Sequence, residues 1–596
     1  MDPLSLVPQH IRALIKKKAV GQSEGADQLA SLTSTMSRTR KHSLELPYSR
    51  QEEFALVAII DISGYSKLSS YLQEVLGSDS GAKVKELLNK PINAIIKHVH
   101  LSGGSVVKFA GDAVIAMWSV PSTETSAKEI VVRRVFSSCL QLMSFFKNYE
   151  LVIPEKTTNK QIVIITSNQR SSNERRNSVE LNDRRRSASV ISEALEKQTR
   201  KQPLKIHIGL GIGEMQHIHI GDVIKNGSMD GLHSRSEYFI AGKALKNSGI
   251  LLGLGKPGDF TFDSIGHDLV IGAMTSEPSF PPVRKGSREL GGRYFMVTER
   301  DPIDKYLACL SQALGPNSLR SSIDSEGTLT NVKDRDPAFI STIVPYIDDA
   351  LAQSVRIVEP ANSTEELDGE SPFSVDLGNY DQLRGVAILF LYFPVFNVDT
   401  VAQPDNLEML QKVTVIILAA MRKHQGCLRQ FNCDDKSLTA LLVWGLEGFA
   451  HEKSECYFSM AAAMEMAPQL TKVIGKDFAI GATKGTVFAG IIGNQNRCDG
   501  TLLGVCVNNA ARLMCLDRCK GGILCDEDSY RDTCDSIEYD TEIPEATLKG
   551  VEHLVKIYAP LEKNKMESKV DKPRLILEGR DKELGEISEA LASWIS

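Results

Sequence analysis

From Ala55 to Ile60 every residue is apolar, and the run ends on a carboxylate, Asp61. An apolar stretch of this length, without the alternation of a half-exposed strand, predicts a strand buried on both faces. Downstream the period changes. Residues 80–100 repeat apolar positions at helical spacing, and "SVVKFAGDAVIAMW" (105–118) reads as two short strands around a Gly-Asp turn. Residues 127–149 are helical again, and "LKIHIGLGIGEMQHIHIGD" (204–222) returns to strand. This order predicts an α+β sandwich, a mixed sheet covered by helices.

The pattern occurs twice. "IGLGIGEMQHIHIG" (208–221) matches "IGATKGTVFAGIIG" (480–493), with Gly209, Gly213 and Gly221 each 272 residues before Gly481, Gly485 and Gly493. "GSVVKF" (104–109) matches "GCLRQF" (426–431) at an offset of 322. The offsets differ by 50, about the size of a Ser/Arg-rich insertion around "TSNQRSSNERRNSVELNDRRRSASVIS" (166–192). A duplicated domain whose first copy gained a loop explains both offsets. The expected organisation is a disordered tail (1–49), a first domain (50–300) with a disordered insertion at about 157–202, and a linker (301–380). The linker holds one expected amphipathic helix, "FISTIVPYIDDALAQSV"; a second domain (381–562) and a C-terminal segment (563–596) follow.

Composition narrows the class without naming it. Hydrophobic residues make up 42% and charged ones 24%, as in ordinary globular proteins, and a net charge of −6 gives no basis for nucleic-acid binding. The longest apolar run, Val386 to Phe396, is far short of a membrane span. The N-terminal basic cluster follows its apolar stretch, opposite to a secretory signal. Eleven cysteines show no paired metal spacing; Cys515 and Cys519, four apart on an expected helix, are a weak metal hint. They read as reduced thiols in a cytoplasmic protein.

Two carboxylates carry the chemistry of the first copy. Alone, Asp112 is a good turn residue and Asp61 a helix N-cap ahead of Ser63 and Gly64. Together, at the end of a central strand and in the turn beside it, they can converge on one hard cation. Mg²⁺ is held by one or two carboxylates plus substrate phosphates, and two such ions can clamp the attacking and leaving oxygens of a phosphoryl transfer. In the second copy, Asn508 and Arg512 of "TLLGVCVNNAARLMCL" are spaced i, i+4 on one helix face. The plain reading is a polar face on a packed helix. The two copies are complementary: Tyr392 and "CDDKS" stand where the first has Asp61 and the Gly-Asp turn, and Lys246 and Ile250 where the second has Asn508 and Arg512.

"AIIDISGYSKL" followed by "KFAGDAVIAMW", with Asp112 coming 51 residues after Asp61, resembles the first catalytic half of a class III nucleotidyl cyclase. The whole resembles the tandem, soluble, bicarbonate-responsive adenylyl cyclase group over roughly residues 50–300 and 380–560. The resemblance implies two ferredoxin-like cyclase domains forming an intramolecular pseudo-heterodimer, with the catalytic unit inside one chain. It implies that Asp61 and Asp112, helped by the Ile62 carbonyl, bind two Mg²⁺ or Mn²⁺ ions, and that Ser63, Gly64 and Tyr65 lie along the triphosphate. Asn508 would orient the ribose and Arg512 would neutralise charge at the α-phosphate, a task suited to a multi-donor guanidinium. Lys549 in "LKGV" is similar to a family lysine that contacts the triphosphate. Thr501 matches a purine-contacting threonine, whereas Gln430 stands where the family has lysine.

The implied reaction is ATP to cyclic AMP and pyrophosphate. The proton of the attacking hydroxyl passes to Asp61 or through water. Two alternatives stay open: cyclic GMP production, because Gln430 both donates and accepts, and a nucleotide-binding regulatory module without turnover. At the degenerate site, Lys108 matches one of two residues with which the related enzymes take up bicarbonate; Lys246 is the nearest replacement for the other. "LILEGRDKELGEISEALASW" resembles the lead-in to a P-loop NTPase region, cut short. Within the insertion, Ser178 in "RRNS" and Ser187 in "RRRS" have the arginines preferred by cyclic-AMP-dependent kinase, a match that any Arg/Ser-rich tract also generates.

Overall fold

The computed structural model describes residues 50–76, 80–120, 125–154, 199–221, 235–271, 283–314, 355–357, 373–375, 382–433, 437–446, 454–494, 497–549 and 554–561. Ser178, Ser187, the expected helix at 339–355 apart from Val355, and residues 1–49 and 562–596 fall outside them. Both copies lie in one compact unit, Met1–Pro560.

The first copy holds β1 (Arg50–Ser63), β2 (Ser105–Ala110), β3 (Ala113–Ser119), β4 (Glu150–Pro154), β5 (Thr199–Pro203), β6 (Lys205–Gly221), β7 (Ser236–Gly242), β8 (Asp259–Asp263), β9 (Val283–Ser287) and β10 (Gly292–Thr298). A ribbon of β11 (Val355–Ile357) and β12 (Phe373–Val375) lies between the copies in sequence. The second copy holds β13 (Gln382–Phe393), β14 (Cys427–Cys433), β15 (Leu438–Trp444), β16 (Ala479–Gly493), β17 (Cys498–Leu503), β18 (Ile523–Asp526), β19 (Tyr539–Asp540) and β20 (Ile557–Pro560).

The sheet orders are β2-β3-β1-β6-β8-β10-β9, with β7 on β6, and β14-β15-β13-β16-β18-β20-β19, with β17 on β16. Both are mixed, since β6–β8 and β16–β18 run parallel within otherwise antiparallel sheets. The duplication read from the glycine offsets is therefore a duplication of topology.

β1 is covered on both faces, as its apolar run requires. Leu56, Ala58, Ile60 and Ile62 pack with Leu88 and Ile95 of helix Ser80–Leu101 and with Phe136 and Leu140 of helix Thr125–Lys147. Ala55, Val57 and Ile59 point the other way, into a core shared with Leu389, Leu391 and Phe431 of the second copy. In the first copy, the period-2 alternation of strand side chains thus gives one face to helices Ser80–Leu101 and Thr125–Lys147 and the other to the common core. Gly209 and Gly481 permit a close approach on that inner side. A Cβ on Gly209 would lie 2.2 Å from the Ser248 carbonyl of helix Lys243–Leu254, and one on Gly481 2.2 Å from the Ala510 carbonyl of helix Val505–Met514.

The copies meet through reciprocal contacts. Gly221 N donates to Gln411 Oε1 (3.1 Å), and Gly493 N donates to Asn89 Oδ1 (3.0 Å). Asn89 and Gln411 are 322 residues apart and Gly221 and Gly493 are 272 apart, the same offsets that relate the motifs. Likewise Lys108 donates to the Phe431 carbonyl, and Gln430 Nε2 to the Phe109 carbonyl (2.7 Å). The chain is a tandem pseudo-dimer.

Three expectations change. Helix Ile303–Leu314 buries Ile303, Tyr306 and Leu310 in the first core, so this copy runs past residue 300 because the helix is amphipathic. β5, read as part of the insertion, pairs with β4 from Pro154↔Thr199 onward, which puts the end of the insertion before Thr199. Cys515 closes helix Val505–Met514, whereas Cys519 is buried in a separate 3₁₀ turn with its Sγ on the Ile480 carbonyl, so they share no helix face. Among the described residues the cysteines are free thiols, and no helix is long and apolar enough to cross a membrane.

Candidate active site

Asp61 is not a helix cap: β1 continues two residues beyond it. Its position is fixed by register, opposite Ala113 of β3 on one side and His207 of β6 on the other. Asp112 sits in the two-residue turn between β2 and β3, where Gly111 takes a φ of 66°, and its carbonyl accepts from Ile62 N (3.3 Å). That bond draws the turn against the end of β1. Gly64, with φ 89°, then reverses the chain into helix Tyr65–Leu76, and its carbonyl accepts from Leu68 N (3.0 Å).

The two carboxylates share one small volume. Burial raises the Asp61 carboxyl above its ordinary range; burial, and then the Asp61 charge, push Asp112 up to about 6. Buried like charges side by side are unfavourable without a counter-charge. Oxygen donors with surplus negative charge fit a hard divalent cation completed by phosphate oxygens. Among the described residues no group of three or more His, Cys, Asp or Glu side chains forms a fuller cage.

His207 was not among the residues singled out in the sequence. Its Nδ1 lies 3.3 Å from Asp61 Oδ2 and 3.0 Å from Ser63 Oγ. Burial pushes the imidazole down, against the pull of Asp259 and Asp112, so at neutral pH it faces Asp61 as a neutral partner. A signal for it existed: Ala479 occupies the same place, 272 residues on.

The other predicted groups come from the second copy. β17 carries Thr501, half-buried, and runs through Gly504 into helix Val505–Met514, which carries Asn508 and Arg512. Asn508 is exposed. Arg512 is half-buried, donates to Asn509 Oδ1 (3.2 Å) and makes no ion pair among the described residues. Gln430 reaches across to Phe109, three residues before Asp112, which brings β14 beside the strand leading to the carboxylate turn. Arg429, its neighbour, is buried against Asp499 and the Gly500 carbonyl. Burial alone would raise Asp499, but Arg429, Arg497 and Lys108 hold it below the usual carboxylate range. Lys549 is exposed.

The two lysines expected at a degenerate second site are both paired. Lys108 is bound by the Phe431 carbonyl and by Glu237 at 3.8 Å, and Lys246 pairs with Asp399. Register confirms the equivalences: Tyr392 pairs with Thr439 and Ala479, as Asp61 does with Ala113 and His207.

The two similar mixed α+β domains form a tandem arrangement similar to that of the class III nucleotidyl cyclases. The chain is homologous to adenylate cyclase type 10, being 21% identical to the mouse enzyme over 501 residues and 21% to the human one over 504. Each match covers 83% of this chain and 26% of the relative, so the chain spans about a quarter of the length of the curated relatives it matches. No protein-family model matches. Among solved structures, a class III adenylyl cyclase-like ATP-binding protein from Pseudomonas aeruginosa superposes over 83% of this chain and 88% of its own, with TM-score 0.46 and 11% identity. The guanylyl cyclase Cya2 covers 31% of this chain and 96% of its own, with TM-score 0.27 and 18% identity.

Proposed function

We propose that the chain is an adenylate cyclase, converting ATP to 3′,5′-cyclic AMP and pyrophosphate between its two copies. One observation carries the reading: two half-buried carboxylates sit together in the first copy, and the second copy supplies a half-buried arginine without a carboxylate partner among the described residues. The first asks for a cation and the second for an anion; a metal-bound triphosphate is both.

In this reading Asp61 and Asp112 hold Mg²⁺ or Mn²⁺. When bound, the ions supply Lewis-acid stabilisation of the phosphate oxygens. The loop from Ile62 to Tyr65 borders the triphosphate. Asn508 orients the ribose so that its 3′-oxygen lies in line with the α-phosphorus. The 3′-hydroxyl gives up its proton to Asp61 or through water as its oxygen bonds to the α-phosphorus, the bond from the α-phosphorus to the bridging oxygen breaks, and pyrophosphate leaves. Arg512 faces the charge that develops on the α-phosphate oxygens, an interaction that strengthens in the transition state. Gln430, with its amide nitrogen on Phe109, presents Oε1 as an acceptor, which suits the adenine amino group.

The deciding experiment supplies ATP and GTP together with Mn²⁺ and identifies the products by mass spectrometry. Cyclic AMP is expected, falling by about three orders of magnitude or more in an Asp61→Ala, Asp112→Ala chain, since the ions supply several kcal/mol. Equal output from wild type and the double variant would end the reading. Cyclic GMP as main product would reassign the base pocket.

A further inference from the structure

Resting on that reading of the carboxylate pair, we propose that His207 is a positioning residue, whose Nδ1 holds the Asp61 carboxylate in place beside Asp112. The geometry is local and specific. Asp61 and His207 are cross-strand partners at the end of β1 and β6, and Nδ1 sits 3.3 Å from Asp61 Oδ2 and 3.0 Å from Ser63 Oγ. The ring therefore bridges alternate residues of β1, both on its own side of the strand. Nδ1 is hydrogen-bonded to Ser63 Oγ and lies 3.3 Å from Asp61 Oδ2; in the proposed arrangement its proton turns from Ser63 toward that carboxylate oxygen and anchors it. The other oxygen is then free to face Asp112. Carboxylates that bind metals are commonly oriented by such outer hydrogen bonds, and loss of the orienting group typically lowers metal affinity 10- to 100-fold.

The second copy acts as an internal control. At the same register it has Tyr392 in place of Asp61 and Ala479 in place of His207. Tyr392 packs against the apolar cluster that contains Ala479. The copy without the carboxylate also lacks the imidazole, and the aromatic ring takes the room. A histidine needed only to fill or bridge the sheet would have no reason to be absent where the carboxylate is absent.

The test uses the nucleotide-free full chain and Mn²⁺ alone, with free Mn²⁺ read by its electron paramagnetic resonance signal. Wild type is expected to bind saturably and Asp61→Ala, Asp112→Ala to lose that binding. His207→Ala is expected to bind at least about 10-fold more weakly. His207→Asn, whose amide nitrogen reaches the place of Nδ1, should come back to within about 3-fold of wild type, by the same geometric reasoning. His207→Gln, whose amide reaches toward Nε2 instead, should resemble His207→Ala. If His207→Ala does not fold by circular dichroism, the Asn and Gln variants decide between themselves. Wild-type affinity in His207→Ala, or equal affinity in the Asn and Gln variants, overturns the positioning role while leaving the carboxylate site standing. No saturable binding by wild type, or undiminished binding by the double variant, removes the carboxylate site and the inference with it.

Discussion

The two copies share a scaffold and differ at its edge. Asp263 and Asp526 show what is shared. Each ends the parallel strand of its sheet, each accepts from the backbone N–H three residues on (Gly266 and Ser529), and each accepts a second bond from the central strand, from Ile212 or Lys484. Ile212 and Lys484 are themselves 272 apart. Asp61 and Tyr392 show what differs, in the same register and with unlike chemistry. Residues that hold strand to helix are alike in both copies, whereas Asp61 against Tyr392, and Lys246 and Ile250 against Asn508 and Arg512, differ in opposite senses. A fold constraint acts on each copy alone; on the proposed reading, a site assembled once per pair needs each part only once.

The comparison breaks most visibly at the transition-state groups. Arg512→Ala is expected to lower kcat by about 100-fold or more with little change in KM, because the guanidinium works mainly on developing charge. Ile250→Ala, at the equivalent place in the first copy, is expected to change kcat by less than about 2-fold, since it has no charge to offer. Steady-state kinetics with ATP measures both. Comparable losses in the two variants would mean that the copies contribute alike, and the asymmetry would be false.

Much of this was legible in the sequence. The both-faces-buried strand, the Gly-Asp turn and the glycine offsets came directly from apolar patterning, because strand and turn chemistry are local. Gly209 and Gly481 were visible as a match, although their cause, a helix carbonyl at van der Waals contact, was not. What stayed hidden was lateral. His207 reads as one polar position in a strand until the register sets it opposite Asp61, and register is a long-range property. Asn89 and Gln411 are unremarkable helix residues until the two copies face each other. The helix Ile303–Leu314 falls in the expected linker because the core that accepts its apolar face lies more than 150 residues earlier, in helix Thr125–Lys147.

The interface provides the next test. Gln411 is buried and both accepts from Gly221 N and donates to Gly221 O (2.6 Å), whereas Asn89, half-buried, accepts one bond from Gly493 N. Truncation leaves buried backbone groups unpaired at about 1–3 kcal/mol each. Gln411→Ala is therefore expected to lower stability by about 2–3 kcal/mol and Asn89→Ala by about 1 kcal/mol, measured from urea unfolding midpoints. Equal effects would show that the two contacts are interchangeable despite their different burial.

The smallest expected effect returns to the shared latch. Burial pushes the Asp526 carboxyl up to about 6, only partly offset by its hydrogen bonds from Ser529 and Lys484. A carboxyl whose folded value lies above its unfolded one, near 4, binds its proton more tightly in the folded chain. Its contribution to stability is full below about pH 4 and is lost as the pH rises through about 6. Asp526→Asn removes this titration. Asparagine still caps helix Glu527–Thr533 by accepting from Ser529 N, although its amide nitrogen cannot accept from Lys484 N. Relative to wild type, Asp526→Asn should therefore gain stability between pH 4 and 7, on the order of 1–2 kcal/mol. Melting temperatures of the two chains across that range measure the gain as a widening gap. A gap that stays constant would mean that the buried carboxylate is already compensated at neutral pH. Asp263 is also raised by burial, so Asp263→Asn should give the same sign in the first copy, and opposite signs would break the equivalence of the two latches.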